Sequence, residues 1–213
     1  MAQTARNIIV GAALIYLSVK EASDGTAPEA ATGLTPFVNA NTTIGNATTL
    51  WKEVGYTDSG LELSYEPTFN DIVVDQSLDA AVVFKSAMKV TIKTSFAEAT
   101  LENLVTVYGQ RSGSRTGATD GVLNTNELTI QGGALGEYPN ERSLQAVGPG
   151  PRTSSTGATG QRVYYASRVL SVDTSAQAIK RDAGTYFPVS FRLLPVASSS
   201  NAYGKITDRI YTS

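Results

Sequence analysis

The chain has 213 residues, 17 basic and 19 acidic, for a net charge of −2, with 41% hydrophobic residues and only 17% charged ones. Histidine and cysteine are absent, which excludes a His-based triad or general base, a thiol nucleophile, a disulfide framework and His- or Cys-ligated metal sites. The near-neutral balance argues against a protein that grips nucleic acid through its phosphates, and the length suits one large β domain that needs no metal or disulfide staple.

The first element is the apolar run at 7–19 (NIIVGAALIYLSV). It is shorter than the roughly 20 residues a spanning helix needs. Its β-branched content suits a strand, and 18–21 (SVKE) offers no convincing leader cleavage site. A buried first strand is therefore expected, without membrane insertion. A polar stretch at 21–49 reads as an extended loop, followed by 50–55 (LWKEVG).

Two long alternating runs occupy residues 61–94. In the second, Val82, Phe84, Met88, Val90 and Ile92 share one face, and Lys85, Lys89 and Lys93 the other. Folding the runs into an antiparallel hairpin that turns at 76–79 sets Glu62 opposite Lys93 and Glu66 opposite Lys89. The same register faces Leu63 with Ile92, Tyr65 with Val90 and Val73 with Val82. Charges meet charges and apolar groups meet apolar groups, and a slip of one residue would undo both. Each arm of about 15 residues reaches roughly 50 Å at about 3.4 Å per residue, far beyond the usual strand. Near the turn Ile72, Val74, Leu78, Ala81 and Val83 leave neither face polar. Such a tip is either covered by its own chain or inserted into a neighbouring subunit; we expect the neighbour.

A helix is expected over residues 96–108. Ser95-Phe96-Ala97-Glu98 has the form of a capping box, Gly109 stands where a left-handed C-terminal cap is wanted, and Ala97, Leu101, Leu104, Val105 and Tyr108 recur on one face. A Gly/Ser/Thr-rich stretch at 110–160 reads as a second extended loop with short candidate strands at 127–131 and 144–147. Alternating runs at 162–172, 185–194 and 205–211 close the chain. Pro188 implies an edge strand or a bulge, because proline donates no ladder hydrogen bond. No internal repeat or compositional break divides residues 1–213, so a single domain is expected. Its fold class is mainly β: an antiparallel β-sandwich or partial barrel with one flanking helix and a long protruding hairpin.

Chemistry-bearing motifs are lacking. The strand carboxylates are charge-balanced rather than an acid/base pair. Asp120-Gly121 with Asn124 and Asn126 lacks the 12-residue spacing and terminal Glu of a calcium loop. Residues 148–151 and 157–160 lack the lysine of a phosphate loop and read as turns. No catalytic residue, metal site or cofactor is expected.

The order and wording of five stretches resemble the tail tube (major tail) proteins of long-tailed bacteriophages: 8–18 (IIVGAALIYLS), 51–60 (WKEVGYTDSG), 71–109 (from DIVVDQSLD to TVYG), 186–195 (YFPVSFRLLP) and 203–209 (YGKITDR). The resemblance implies a helix-flanked β-sandwich assembled into hexameric rings whose inner strands join into a continuous barrel. Stacked rings would form the virion tail tube through which the genome is ejected, assembled in the bacterial host cytoplasm. It implies further copies of this chain, tape-measure, tail-terminator and tail-tip or baseplate proteins, and a sheath where one exists, as partners. Double-stranded DNA would pass through the lumen without specific binding. The hairpin is similar to the arm that such proteins extend to the next ring.

A conduit for rapid passage should show DNA a neutral or acidic wall, since each Lys or Arg that neutralises a phosphate adds affinity. Glu62, Glu66, Asp71, Asp75 and Asp79 are the candidates to line or rim the lumen, with the lysines paired. Arg111, Arg115, Arg142, Arg152 and Arg162 read as mostly solvated charges, or as a contact for a sheath, connector or terminator. Two alternatives compete: a secreted or surface β-sandwich adhesion module, and a non-polymerising virion ring protein such as a terminator or head decoration.

Overall fold

Alternating apolar side chains fold into strands that bury one face, and the described residues form ten of them with one short helix. The computed structural model describes residues 11–22, 28, 51–76, 78–111, 115–120, 123–151, 160–173, 176, 177, 179, 181, 184–196 and 202–210. In chain order the elements are β1 (Leu14–Ser18), β2 (Trp51–Glu53), β3 (Thr57–Ile72), β4 (Val82–Phe96), α1 (Leu101–Val107), β5 (Arg115–Asp120), β6 (Leu123–Leu128), β7 (Arg142–Pro149), β8 (Gly160–Ser171), β9 (Phe187–Leu193) and β10 (Gly204–Ile210). The main sheet runs β2-β1-β7-β8-β9-β4-β3, with β10 also paired to β8. All its pairings are antiparallel. It curls around its core without closing into a barrel.

The twelve-residue β8 joins the two halves of the sheet. One of its edges follows β7. On the other, β10 pairs with residues up to Ala166, and β9 takes over at Val169. The sheet therefore forks, and both halves drive apolar groups into one core: Ile15 and Leu17 of β1, Leu144 and Ala146 of β7, Ile92 and Phe96 of β4, and Phe187 and Phe191 of β9. A smaller cluster of Tyr16, Trp51, Val147 and Val163 fills the opposite face of β1, β7 and β8, with Trp51 edge-on to Tyr165. Glu141 is almost fully buried and takes two charge-assisted bonds from Arg168, at 2.6 and 2.7 Å. Arg168 also donates to the Pro195 carbonyl at 2.7 Å. This tie fastens the start of β7 to β8 and to the turn after β9.

Three expectations need correction. The helix spans Leu101–Val107 rather than 96–108, and its N-cap is Thr100, whose hydroxyl accepts from the Asn103 N–H at 3.2 Å. Ser95 is not a cap: it lies in β4, between Asp58 and Pro188, because Phe96 is fully buried opposite Phe187 and holds the strand extended. Glu98 instead accepts the Tyr56 N–H at 3.0 Å, pinning the start of β3. Gly109 does cap the C-terminus: at φ 64° it donates to Thr106, while Gln110 donates to Val105, which is the paired bonding of a Schellman motif. The helix buries more than one stripe, since Asn103, Val105, Thr106 and Val107 are all covered. The Asn103 amide donates to the Val54 and Glu98 carbonyls.

The candidate strand at 144–147 falls inside β7 and that at 127–131 overlaps only the end of β6, so the stretch 110–160 is less loop-like than expected. It holds the separate β5–β6 hairpin and then β7, a full sheet strand. The expectations for 21–49 fall outside the described residues except at positions 21, 22 and 28, and those for residues 7–10 fall outside them altogether. Pro188 sits in β9 beyond the stretch paired with β8, and is exposed opposite Ser95 of β4. Of the five arginines, Arg111 pairs with Glu137, Arg142 with Glu21 and Arg162 with Asp208. These pairings offset three of the five charges; Arg152 and the Arg115 side chain lie outside the described residues.

Replacing Thr100 by Ala should cost about 1 kcal/mol of unfolding free energy, whereas Ser95→Ala should change it by less than about 0.5 kcal/mol; urea denaturation reads both. Glu141→Ala, which strands a buried guanidinium, should cost about 3–5 kcal/mol in the same assay.

Candidate assembly interface

β3 and β4 are far longer than the strands beside them. β9 accompanies β4 only over Thr91–Phe96, so beyond that point the hairpin continues, among the described residues, as a two-stranded ribbon. The expected register holds from Glu62↔Lys93 to Thr68↔Ala87, including Leu63↔Ile92, Tyr65↔Val90 and Glu66↔Lys89. Two irregularities interrupt it. Between Asp58 and Glu62, β3 carries extra residues, with Ser59 at φ 64° and Gly60 at φ 69°. Such values suit glycine and cost serine roughly 1 kcal/mol. The Thr94 hydroxyl bonds the Gly60 carbonyl at 2.9 Å and closes this bulge. Between Thr68 and Phe69 the extra residue lies on β4, at Ser86, whose hydroxyl reaches back to the Thr68 carbonyl at 3.3 Å.

The second bulge changes what each face carries. Opposed residues share a face and alternate along the strand, so beyond Ser86 the parity of β4 reverses. Val82 pairs with Ile72 rather than with Val73, and Phe84 with Asn70. Val82 and Phe84 thus leave the face of Met88, Val90 and Ile92 and join that of Ile72. Lys85 moves the other way. Its ammonium lies 3.0 Å from the Tyr65 hydroxyl and 2.8 Å from the Met88 sulfur, above the Tyr65 ring. The lysines are therefore not uniformly paired: Lys89 approaches Glu66 at 4.0 Å, while Lys85 rests on neutral groups.

Both faces of the outer arm present apolar groups to solvent. Phe69, Ile72, Val73, Val74, Leu78, Val82, Val83 and Phe84 are all between 38% and 110% exposed. Ala81 donates to the Ile72 carbonyl at 2.8 Å and closes the tip. All five tip candidates (Ile72, Val74, Leu78, Ala81, Val83) are exposed there; Ser77, inside the expected turn, lies outside the described residues. The acidic candidates are exposed as well but do not share one face. Glu62 and Glu66 stand with Lys93 and Lys89, Asp71 stands with Val83, and Asp75 and Asp79 belong to the tip, where Asp79 accepts the Ala80 N–H.

Where the sheet forks, the root of the arm and β10 diverge and leave an apolar groove of about 270 Å³, lined by Leu63, Tyr65, Met88, Tyr164, Tyr203 and Ile206 among others. Sequence reasoning missed this groove, because it arises from β9 and β10 sharing one edge of β8. Opposite Arg162 of β8, Asp208 of β10 receives two bonds from the guanidinium, at 2.6 and 2.8 Å. Those bonds hold its carboxyl below the usual carboxylate range and raise the Arg162 pKa.

A family model described as phage tail tube protein matches residues 1–209. No curated protein matches the chain.

Because the folded Asp208 carboxyl holds its proton less tightly than the unfolded one, its contribution to stability is present above the ordinary aspartate pKa of about 3.9 and is lost as pH falls through the lower folded value. Asp208→Asn should accordingly flatten the fall in urea midpoint below about pH 4 relative to the parent chain.

Proposed function

The chain belongs to the phage tail tube protein family, structural and non-enzymatic proteins of the virion tail, and from that premise we propose that it closes into hexameric rings whose protruding arms reach the next ring and stack them into the tube. The observation that carries this reading is the outer arm: a hydrogen-bonded ribbon whose Ile72, Val74, Val82 and Phe84 stay exposed among the described residues. Water disfavours an apolar surface of this extent. A second subunit seated on it removes the penalty.

The sheet order ends at β2 on one side and β3 on the other. Such edges invite uncontrolled pairing, and a closed ring uses them up between neighbours. Along the inner part of the arm, Glu62 and Glu66 alternate with Lys93 and Lys89. This charge-balanced face offers DNA no net attraction and suits a lumen wall, with Asp71, Asp75 and Asp79 at the rim between rings. The passing genome is then cargo that slides rather than a bound ligand. Tape-measure, terminator and tail-tip or baseplate proteins are the partners such a tube requires, with a sheath in a contractile tail. Assembly in the bacterial host cytoplasm precedes incorporation into the virion.

Val74→Asp places an unpaired charge in the contact. The variant should remain a soluble, folded subunit with unchanged circular dichroism, yet form no tubes by negative-stain electron microscopy under conditions where the parent chain does. Tubes of normal length from the variant would remove the arm from the interface.

A further inference from the structure

We infer that the apolar groove between the arm root and β10 is the socket for the arm tip of a second copy of this chain, an inference that rests on the arm being the contact between rings. The tip carries what the groove lacks. Residues 69–84 (FNDIVVDQSLDAAVVF) hold three aspartates and no basic residue among their apolar groups. Among the described residues no carboxylate lines the groove, which presents Leu63, Tyr65, Met88, Ile206 and the basic Lys205. At its outer lip the Lys85 ammonium sits on the Tyr65 hydroxyl and the Met88 sulfur with no carboxylate beside it. Ile206 and Leu63 are 58% and 41% exposed, so the socket is open. An entering tip covers these apolar walls while an aspartate meets Lys85.

The occupant cannot be the chain's own tip. From Tyr65 to Ile72 the ribbon stays paired to β4 and spans roughly 24 Å at about 3.4 Å per residue. A paired ribbon of that length does not double back. Tip and socket are therefore different patches of one molecule, and joining them is a heterologous contact, which repeats without closing and builds a fibre. The bulge at Ser86 matters here, because it gathers Ile72, Val82 and Phe84 onto one side of the tip.

The absence of cysteine makes cross-linking a clean test. A chain carrying Val74→Cys and Ile206→Cys, assembled and treated with a short bismaleimide, should run as a ladder of covalent multimers on a denaturing gel. Chains with either single substitution should show no ladder. Val74→Cys combined with Thr207→Cys should also show none, because Thr207 pairs with Val163 on the opposite face of β10 and does not line the groove. If the first chain forms tubes without a ladder, or if position 207 links as well as position 206, the socket is wrong and the arm still joins rings by another surface. If neither the parent chain nor the variants form any multimer, the arm reading falls and the socket with it.

Discussion

A two-stranded ribbon satisfies its backbone by pairing, yet it has no interior. Each side chain on it faces water unless another body covers it, and in this protein the outer ribbon is apolar on both faces. Fully covering a Val, Leu, Ile or Phe side chain is worth about 1.5–3 kcal/mol relative to exposure. The side chains of the outer arm are already part-covered, so one docked arm supplies on the order of 10 kcal/mol gross. Association costs about 4–15 kcal/mol. A single arm is thus marginal, and several arms presented together by one ring share a single association cost. For the assembly proposed above, that arithmetic has rings precede stacking, and it accounts for an exposed surface that a lone subunit would find costly.

The inner arm was legible from sequence because charge and hydrophobicity specify the same register. Glu62 needs Lys93, Glu66 needs Lys89, and Leu63 needs Ile92; the structure has all three pairings. The tip was not legible to the residue, because nothing about Ser86 announces an inserted position. A small polar residue fits a regular strand as well as a bulge, so periodicity carried straight through it puts Phe84 and Lys85 on the wrong faces. The family was legible from the order of short strings, and the family match over residues 1–209 agrees with it.

The helix start and the stretch at 110–160 show two other ways a local signal loses. Ser95 and Glu98 have the spacing of a capping box, but the buried Phe96 of β4 decides the backbone there, and tertiary burial outweighs roughly 1 kcal/mol of capping. Thr100 then does the work in the same chemical manner, five residues on. At 115–128 the threonines, glycines and asparagines weaken any alternation, so β5 and β6 had no readable stripe. The groove was beyond reach for a different reason: it belongs to no segment, and exists only because β9 and β10 divide one edge of β8.

The two register breaks also govern mechanics. A regular ladder resists bending because every residue is tied across to its partner, whereas an inserted residue leaves a rung missing and adds local twist. The arm has such gaps at its root, between Asp58 and Glu62, and halfway out, beside Ser86. Elastic compliance therefore concentrates at two spots on the arm rather than inside the tightly packed body. A filament joined through struts of this kind curves by yielding at its seams, like a segmented hose whose bore keeps its diameter around a bend.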